Sequence, residues 1–309
     1  MKIIFFGTPD FAKKILEQLV LAHQDVIGVV TNPDKAVGRS SEKQPSPVKK
    51  YAEKMGIPVY QPLKASESQF AAFLKTLQAD LFIVAAYSEI LKENILSMPP
   101  KGCINVHASL LPRYRGAAPI QRAIMAGEKE TGVTIMAMAA KLDAGDMLKV
   151  AKTEIPEDMT AGELFDLLAK IGGEALLATL PEVENGTLQP VVQDSQETTY
   201  AKKLSPLDGE LNWSKSANDL YNQFRGVTPK PGAWCMVEVN GKPKKMLIKK
   251  ARKNASSGGR GGELLSDSQL LVACGGGGSL ELLEVQLEGK KALDADAFLK
   301  GTPPNNIKF

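Results

Sequence analysis

Up to Thr179 the chain alternates short, almost wholly apolar runs with longer stretches of helical periodicity. The runs fall at residues 2–6, 26–30, 59–60, 81–85 and 103–106. A strand buried on both faces needs continuous hydrophobicity, whereas a half-exposed strand alternates apolar with polar. Between the runs, Phe11, Ile15, Leu16, Leu19 and Val20 recur at helical spacing, and residues 48–55, 66–77, 92–96 and 120–126 read as further helices. Thr8-Pro9 predicts an N-cap with proline at the first helical position. Residues 133–138 and 147–155 predict two more strands, and 161–179 a long helix with Leu164, Leu167, Leu168 and Ile171 on one side. Strands alternating with helices predict an α/β fold: a mostly parallel sheet with helices on both faces.

After Pro190 the pattern changes. Residues 193–200 are polar, 204–208 read as a boundary, and a helix near 217–225 precedes short strand-like pieces between glycines at 234–239, 245–248, 263–265, 270–274 and 280–285. Several short strands with Gly and Pro turns predict a small β-barrel, OB-like, or a sandwich. With 309 residues the chain has room for two domains. The expected division is a catalytic domain at 1–189, a linker at 190–207 and a C-terminal barrel domain at 208–309.

Composition narrows the chemistry. There are two histidines, His23 and His107, and no Cys-x-x-Cys or His-Glu-x-x-His spacing, so no metal site of the usual ligand kinds is expected. Three distant cysteines, Cys103, Cys235 and Cys274, argue against a disulfide framework and for a reducing, cytoplasmic compartment. No apolar run approaches a membrane span, and the opening apolar stretch breaks at Gly7-Thr8-Pro9, too early for a secretory signal; no membrane association is expected. From Ser205 onward 15 Lys and Arg face 11 Asp and Glu, an excess of four; before it 23 face 24, a deficit of one. That imbalance points the C-terminal third towards a polyanion. Its densest basic run is Lys242, Lys244, Lys245, Lys249, Lys250, Arg252 and Lys253, equally readable as a charged strand face or a nucleic-acid footprint.

The first strand–turn–helix carries "GTPDF", not G-x-G-x-x-G, so likeness to a dinucleotide-binding domain is one of Rossmann-like architecture only. The four glycines at 275–278 lack the lysine and hydroxyl of a P-loop and read as a hairpin connection. His107 follows an apolar strand in "INVHASLLPRYRGAAP", at the carboxyl end where open parallel sheets bind ligands. Asn105, two residues earlier, shares its side of the strand, and Asp143 falls in a loop after a later strand. An amide, an imidazole and a carboxylate can together stabilise a tetrahedral oxyanion and move its proton; a histidine with a purely structural role is the competing reading. Ser109 suggests a Ser-His-Asp hydrolase, but the chain has no G-x-S-x-G elbow.

At "GCINVHASLLPRYRGAAPIQRAI" (102–124) the chain resembles the folate-dependent formyltransferase family, in its methionyl-tRNA formyltransferase branch. "IIFFGTPDFA" (3–12), "PSPVK" (45–49), "TGVTIM" (131–136), "LDAGDML" (142–148) and "VQLEGKKALDADAFLKG" (285–301) extend the likeness across both halves. The resemblance implies transfer of the formyl group of 10-formyltetrahydrofolate, a co-substrate, to the amine of methionyl-initiator tRNA, with no stable protein partner. It places the catalytic roles on Asn105, His107 and Asp143. It assigns the folate to Ser109, Leu110, Leu111 and Pro112, with a cis Leu111–Pro112 bond, and to Ile90 and Leu91. It puts the methionine side chain against Phe11 and the tRNA acceptor end against Arg39. The chain departs from the family pattern at "GRSSEK" (38–43), where "GRGKKL" is usual, at Lys141, and at Tyr87-Ser88-Glu89, where "AYG" is common. A formyltransferase acting on a nucleotide-linked amino sugar would keep the same trio and need no basic C-terminal domain. An RNA-binding module with a vestigial site is disfavoured by the intact trio.

Overall fold

The computed structural model describes residues 1–36 and 42–309. The chain runs β1 (Ile3–Gly7), α1 (Asp10–Leu21), β2 (Val26–Val30), β3 (Lys35–Ala36), β4 (Lys43–Gln44), α2 (Pro47–Lys54), β5 (Val59–Tyr60), α3 (Ser68–Thr76), β6 (Leu81–Ala85), α4 (Glu93–Leu96) and β7 (Cys103–His107). It continues through β8 (Arg115–Gly116), α5 (Pro119–Met125), β9 (Glu130–Ala137), β10 (Met147–Glu154), α6 (Ala161–Asn185) and β11 (Tyr200–Ala201). The rest comprises α7 (Ala217–Val227), β12 (Ala233–Val239), β13 (Lys242–Asn254), β14 (Leu271–Ala273), β15 (Ser279–Leu287), β16 (Leu293–Asp294), α8 (Ala295–Gly301) and β17 (Ile307–Lys308).

Two compact units result: Met1–Pro119, Glu130–Glu154 and Phe165–Ala201 form the first, and Ile120–Lys129, Ile155–Leu164 and Lys202–Phe309 the second. The segments at 120–129 and 155–164 join the second unit for visible reasons. The Tyr221 hydroxyl donates to Asp158 (2.8 Å), Arg225 donates to the Met159 carbonyl (3.0 Å), and Arg122 pairs with Asp208 (2.8 Å).

In the first unit a seven-stranded sheet has the order β10-β9-β7-β6-β1-β2-β5. The five strands from β7 to β5 are parallel and β9 and β10 antiparallel, the mostly parallel sheet that the alternation predicts. One face is the row Ile4, Phe6, Val30, Phe82, Val84 and Cys103, packed with Leu74, Ile95 and Leu96 of α3 and α4. α6 comes close to the sheet at Gly172, where a Cβ would stand 2.9 Å from a methyl of Val106, so only hydrogen fits there. The sheet order turns between β1 and β6, and the Asn32 amide donates to Ser88 Oγ (2.6 Å) across that point. The N-cap of α1 is Pro9, one residue later than the sequence predicts. The Thr8 hydroxyl accepts instead from the Asn32 amide N–H (3.4 Å) and meets the Thr31 hydroxyl (3.4 Å).

The second unit holds an antiparallel sheet of order β14-β15-β13-β12-β17, with β16 on β15, a half-barrel open between β14 and β17. In β12 buried Ala233, Cys235, Val237 and Val239 alternate with more exposed residues, and the inward side chains join Leu220, Phe224 and Met246 in one core. β13 is longer than the predicted 245–248, since register shifts near Lys250 and exposed lysines hide its alternation. The piece at 263–265 supplies only a bridge, Leu264 to Val272. The glycines at 275–278 do connect a hairpin, β14 to β15.

Candidate active site

Cys103, Asn105 and His107 lie in one row on β7, and the row turns from apolar to polar towards the strand's carboxyl end. Pairing fixes the neighbours of each: Asn105 sits between Val84 of β6 and Met136 of β9, and His107 lies opposite Thr134. Asn105 and His107 are buried, and among the described residues no group hydrogen-bonds the Asn105 side chain.

The loop after β9 and β10's start brings Asp143 to the histidine. Its carboxylate Oδ2 accepts from the Gly116 amide (2.7 Å) and stands 3.8 Å from His107 Nδ1, an ion-pair distance when the ring is charged. His107 Nε2 lies 3.1 Å from the Tyr114 carbonyl oxygen; a carbonyl only accepts, so Nε2 carries the proton in that bond. Asp143 and Tyr114 both have left-handed backbone (φ 46° and 57°), a conformation that non-glycine residues hold only where surrounding bonds enforce it. The three residues singled out from the sequence are therefore neighbours in space.

The turn at Ser109–Pro112 is held from within. Ser109 donates to the Arg113 carbonyl (2.7 Å), and Thr134 donates to the Ser109 carbonyl (2.7 Å) while accepting from the Leu111 amide (3.2 Å). The Ser109 hydroxyl is thus committed to the turn, and Leu111–Pro112 is cis, as the resemblance implies. Leu91 is 3% exposed and packs with Phe6 and Val84, whereas Ile90 is 81% exposed. Nearby, Tyr87 stands edge-on to Phe6 (5.7 Å), and among the described residues its buried hydroxyl and Asn32 Oδ1 have no partner. Burial pushes the Tyr87 phenol up, with Glu89 adding to the effect, so the group stays a neutral donor. Asn32 Oδ1 and the Tyr87 hydroxyl, both without a partner among the described residues, are the kind of polar groups that orient a ligand in a pocket.

Phe11 is buried with its ring against Phe165 (5.4 Å, edge-on). Arg39 lies outside the described residues; the ends of its segment, Lys35–Ala36 and Lys43–Gln44, pair as a two-stranded ribbon. Among the described residues no group of three or more His, Cys, Asp or Glu could hold a metal ion, and no helix is long and apolar enough to cross a membrane. A separate cavity of about 680 Å³ in the second unit is bounded by Arg122, Asp208, Lys215, Asp219 and Gln223, and its Arg122 and Asp208 pair with each other. Sequence reasoning missed Thr134, Tyr114 and Gln193. Thr134 and Tyr114 fell inside quoted motifs; Gln193 did not.

The formyl transferase family model matches residues 1–180, and its C-terminal domain model matches 203–303. The chain belongs to the formyl transferase family. Over its full length this formyl transferase is 47% identical to the methionyl-tRNA formyltransferase of Protochlamydia amoebophila, of which 98% is covered. It is 46% identical, with the same coverage, to that of Chlamydia caviae. Solved structures share its fold: an N-formyltransferase of Helicobacter canadensis in complex with folinic acid and dTDP-3-aminofucose has a TM-score of 0.68 at 19% identity, covering 91% of this chain and 98% of that one. HypX of Aquifex aeolicus in complex with tetrahydrofolic acid has a TM-score of 0.66 at 16% identity, covering 97% of this chain and 47% of its own.

Proposed function

We propose that the chain transfers the formyl group of 10-formyltetrahydrofolate to the free amine of methionyl-initiator tRNA, giving N-formylmethionyl-tRNA for translation initiation. The observation that carries this reading is full-length likeness, through both units, to methionyl-tRNA formyltransferases at 44–47% identity. The methionyl amine attacks the formyl carbon, a C–N bond forms, and the formyl oxygen becomes an oxyanion. Asn105 Nδ2, without a partner among the described residues, donates to that oxygen together with the proton His107 now gives to Tyr114. Asp143 holds the charged imidazole and passes on the amine's proton, so that the bond to the folate nitrogen breaks and that nitrogen is protonated. The folate occupies Leu91, Ile90 and the Ser109–Pro112 turn, which supplies shape and backbone groups rather than the Ser109 hydroxyl.

The methionine side chain rests on Phe11, Arg39 meets the acceptor end, and the domain at 208–309 grips the tRNA backbone. Lys242, Lys244 and Lys249 support this: among the described residues none is ion-paired, while Lys250, Arg252 and Lys253 are held by Glu284, Glu281 and Glu157. The enzyme works in the cytoplasm, where its three free thiols stay reduced. The test offers 10-formyltetrahydrofolate with either methionyl-initiator tRNA or an amino-sugar nucleotide to the purified chain. Transfer to the tRNA alone is expected; transfer to the sugar alone would replace this reading with the sugar enzyme.

A further inference from the structure

Residues 193–201, polar enough to read as linker, are bonded into the site. Gln193 is 8% exposed, and its amide is fully used. Its Oε1 accepts from Arg115 Nε (3.0 Å) and Nη2 (2.7 Å), and its Nε2 donates to the carbonyls of Asp143 (2.9 Å) and Gly145 (2.6 Å). Only an amide can take a guanidinium fork on one atom and give two hydrogens from the other while staying neutral. Arg115 is also buried, and among the described residues no carboxylate pairs with its guanidinium. Further along, the Thr199 hydroxyl accepts from the Tyr114 amide (2.8 Å) and the Thr199 carbonyl from the Arg115 amide (2.9 Å), where β11 lies beside β8. Asp143 and Tyr114, the two left-handed residues that touch His107, are thus both tied to this one strap.

We infer that Gln193 is a positioning residue: oriented by Arg115 on its Oε1, it fixes the Asp143–Gly145 backbone through its Nε2 so that the Asp143 carboxylate faces the His107 imidazole. The inference rests on the reading of Asn105, His107 and Asp143 as the reacting groups. A misplacement of about 1 Å at such a group can cost on the order of 10²-fold in rate while leaving substrate binding intact. A side chain that merely stabilises the fold would instead lower the melting temperature and act independently of Asp143.

The experiment measures formyl transfer to methionyl-initiator tRNA by the full chain, Gln193→Met, Gln193→Glu, Asp143→Asn and the Gln193→Met/Asp143→Asn double variant. Gln193→Met keeps the length of the side chain and loses every hydrogen bond; Gln193→Glu keeps Arg115 and loses both donations. Both single Gln193 variants are expected to lose about 10- to 100-fold in kcat with KM for either substrate within about twofold. Within the Asp143→Asn background the same change should cost less than about twofold, because its effect runs through Asp143. A kcat near wild type, a loss carried by KM, or an undiminished loss in the Asp143→Asn background overturns the inference. If Gln193→Met does not fold, Gln193→Glu is carried through the same cycle with the same criteria. Should the wild-type chain transfer no formyl group, or Asp143→Asn match it, the catalytic reading falls and takes the inference with it; failure confined to the Gln193 variants leaves that reading standing.

Discussion

Cys103, Cys235 and Cys274 are all buried, and burial pushes their thiols up to about 12, about 12 and about 11. The native chain should therefore react slowly with iodoacetamide at pH 8 and release three reactive thiols on unfolding; a fast thiol in the native protein would contradict this. The same shifts make stability fall in alkali. An unfolded thiol loses its proton near its ordinary value of 9.0, while the folded one keeps it, so the folded state binds more protons and stability declines from about pH 9 towards 12. Tyr221, raised to about 12 mainly by burial, acts in the same direction, and a melting series across that range measures the slope. His107→Ala should leave the fold intact and lower transfer by about 10²–10⁴-fold, since in the proposed mechanism it removes a donor to the oxyanion; near wild-type turnover would exclude the mechanism. That Asn105, His107 and Asp143 meet was legible because the first two lie on one apolar strand, β7, and Asp143 in the loop after another, β9. Gln193 was not, since a lone glutamine in a polar stretch carries no periodic signal and its partners lie 78 and 50 residues away.

Among the elements, β9 does the most to shape the site. It contributes Thr134 opposite His107, and at Gly132 it leaves room for both the Ala151 carbonyl and Leu110. A Cβ at Gly132 would run into that carbonyl oxygen and stand 2.6 Å from a Leu110 methyl. Gly132→Ala is expected to destabilise the chain by about 1–3 kcal/mol and to raise KM for the folate by shifting the Ser109–Pro112 turn. Denaturant melts and donor titrations check the two effects separately, and an unchanged KM would detach Gly132 from the turn. Strand positions in the parallel sheet were legible because continuous hydrophobicity has one structural solution there. β13 was less so: Lys244, Lys249 and Lys250 on its open face break the apolar pattern on which a strand is recognised.

For the molecule as a whole, charge and chain path matter together. Replacing Lys244 and Lys249 by Gln should weaken tRNA binding at every sequence and make log Kd less steep in log salt by roughly 0.9 per lost phosphate contact in a duplex region. Unchanged affinity and slope would free that face of β13 from the tRNA. The apolar runs and glycine turns were enough to foresee two kinds of architecture in order along the chain. The return of 120–129 and 155–164 to the second unit was not foreseeable, because it rests on single long-range bonds such as Tyr221 to Asp158 and Arg225 to Met159. A fragment ending near Pro206 would strip those two segments of these partners.

The ends of the seven-stranded sheet are unlike each other, and both are poor templates. β5 offers two residues, Val59 and Tyr60, while β10 alternates Lys149, Ala151 and Thr153 with Val150, Lys152 and Glu154, its Met147 bridged to Val191. Lysines along a border strand resist the approach of another chain's backbone. Two molecules colliding at these borders would find too short a rail on one side and an unburied ammonium group on the other, held by Glu182 or Glu130. Both borders thus work against the edge-on addition of a strand from another copy.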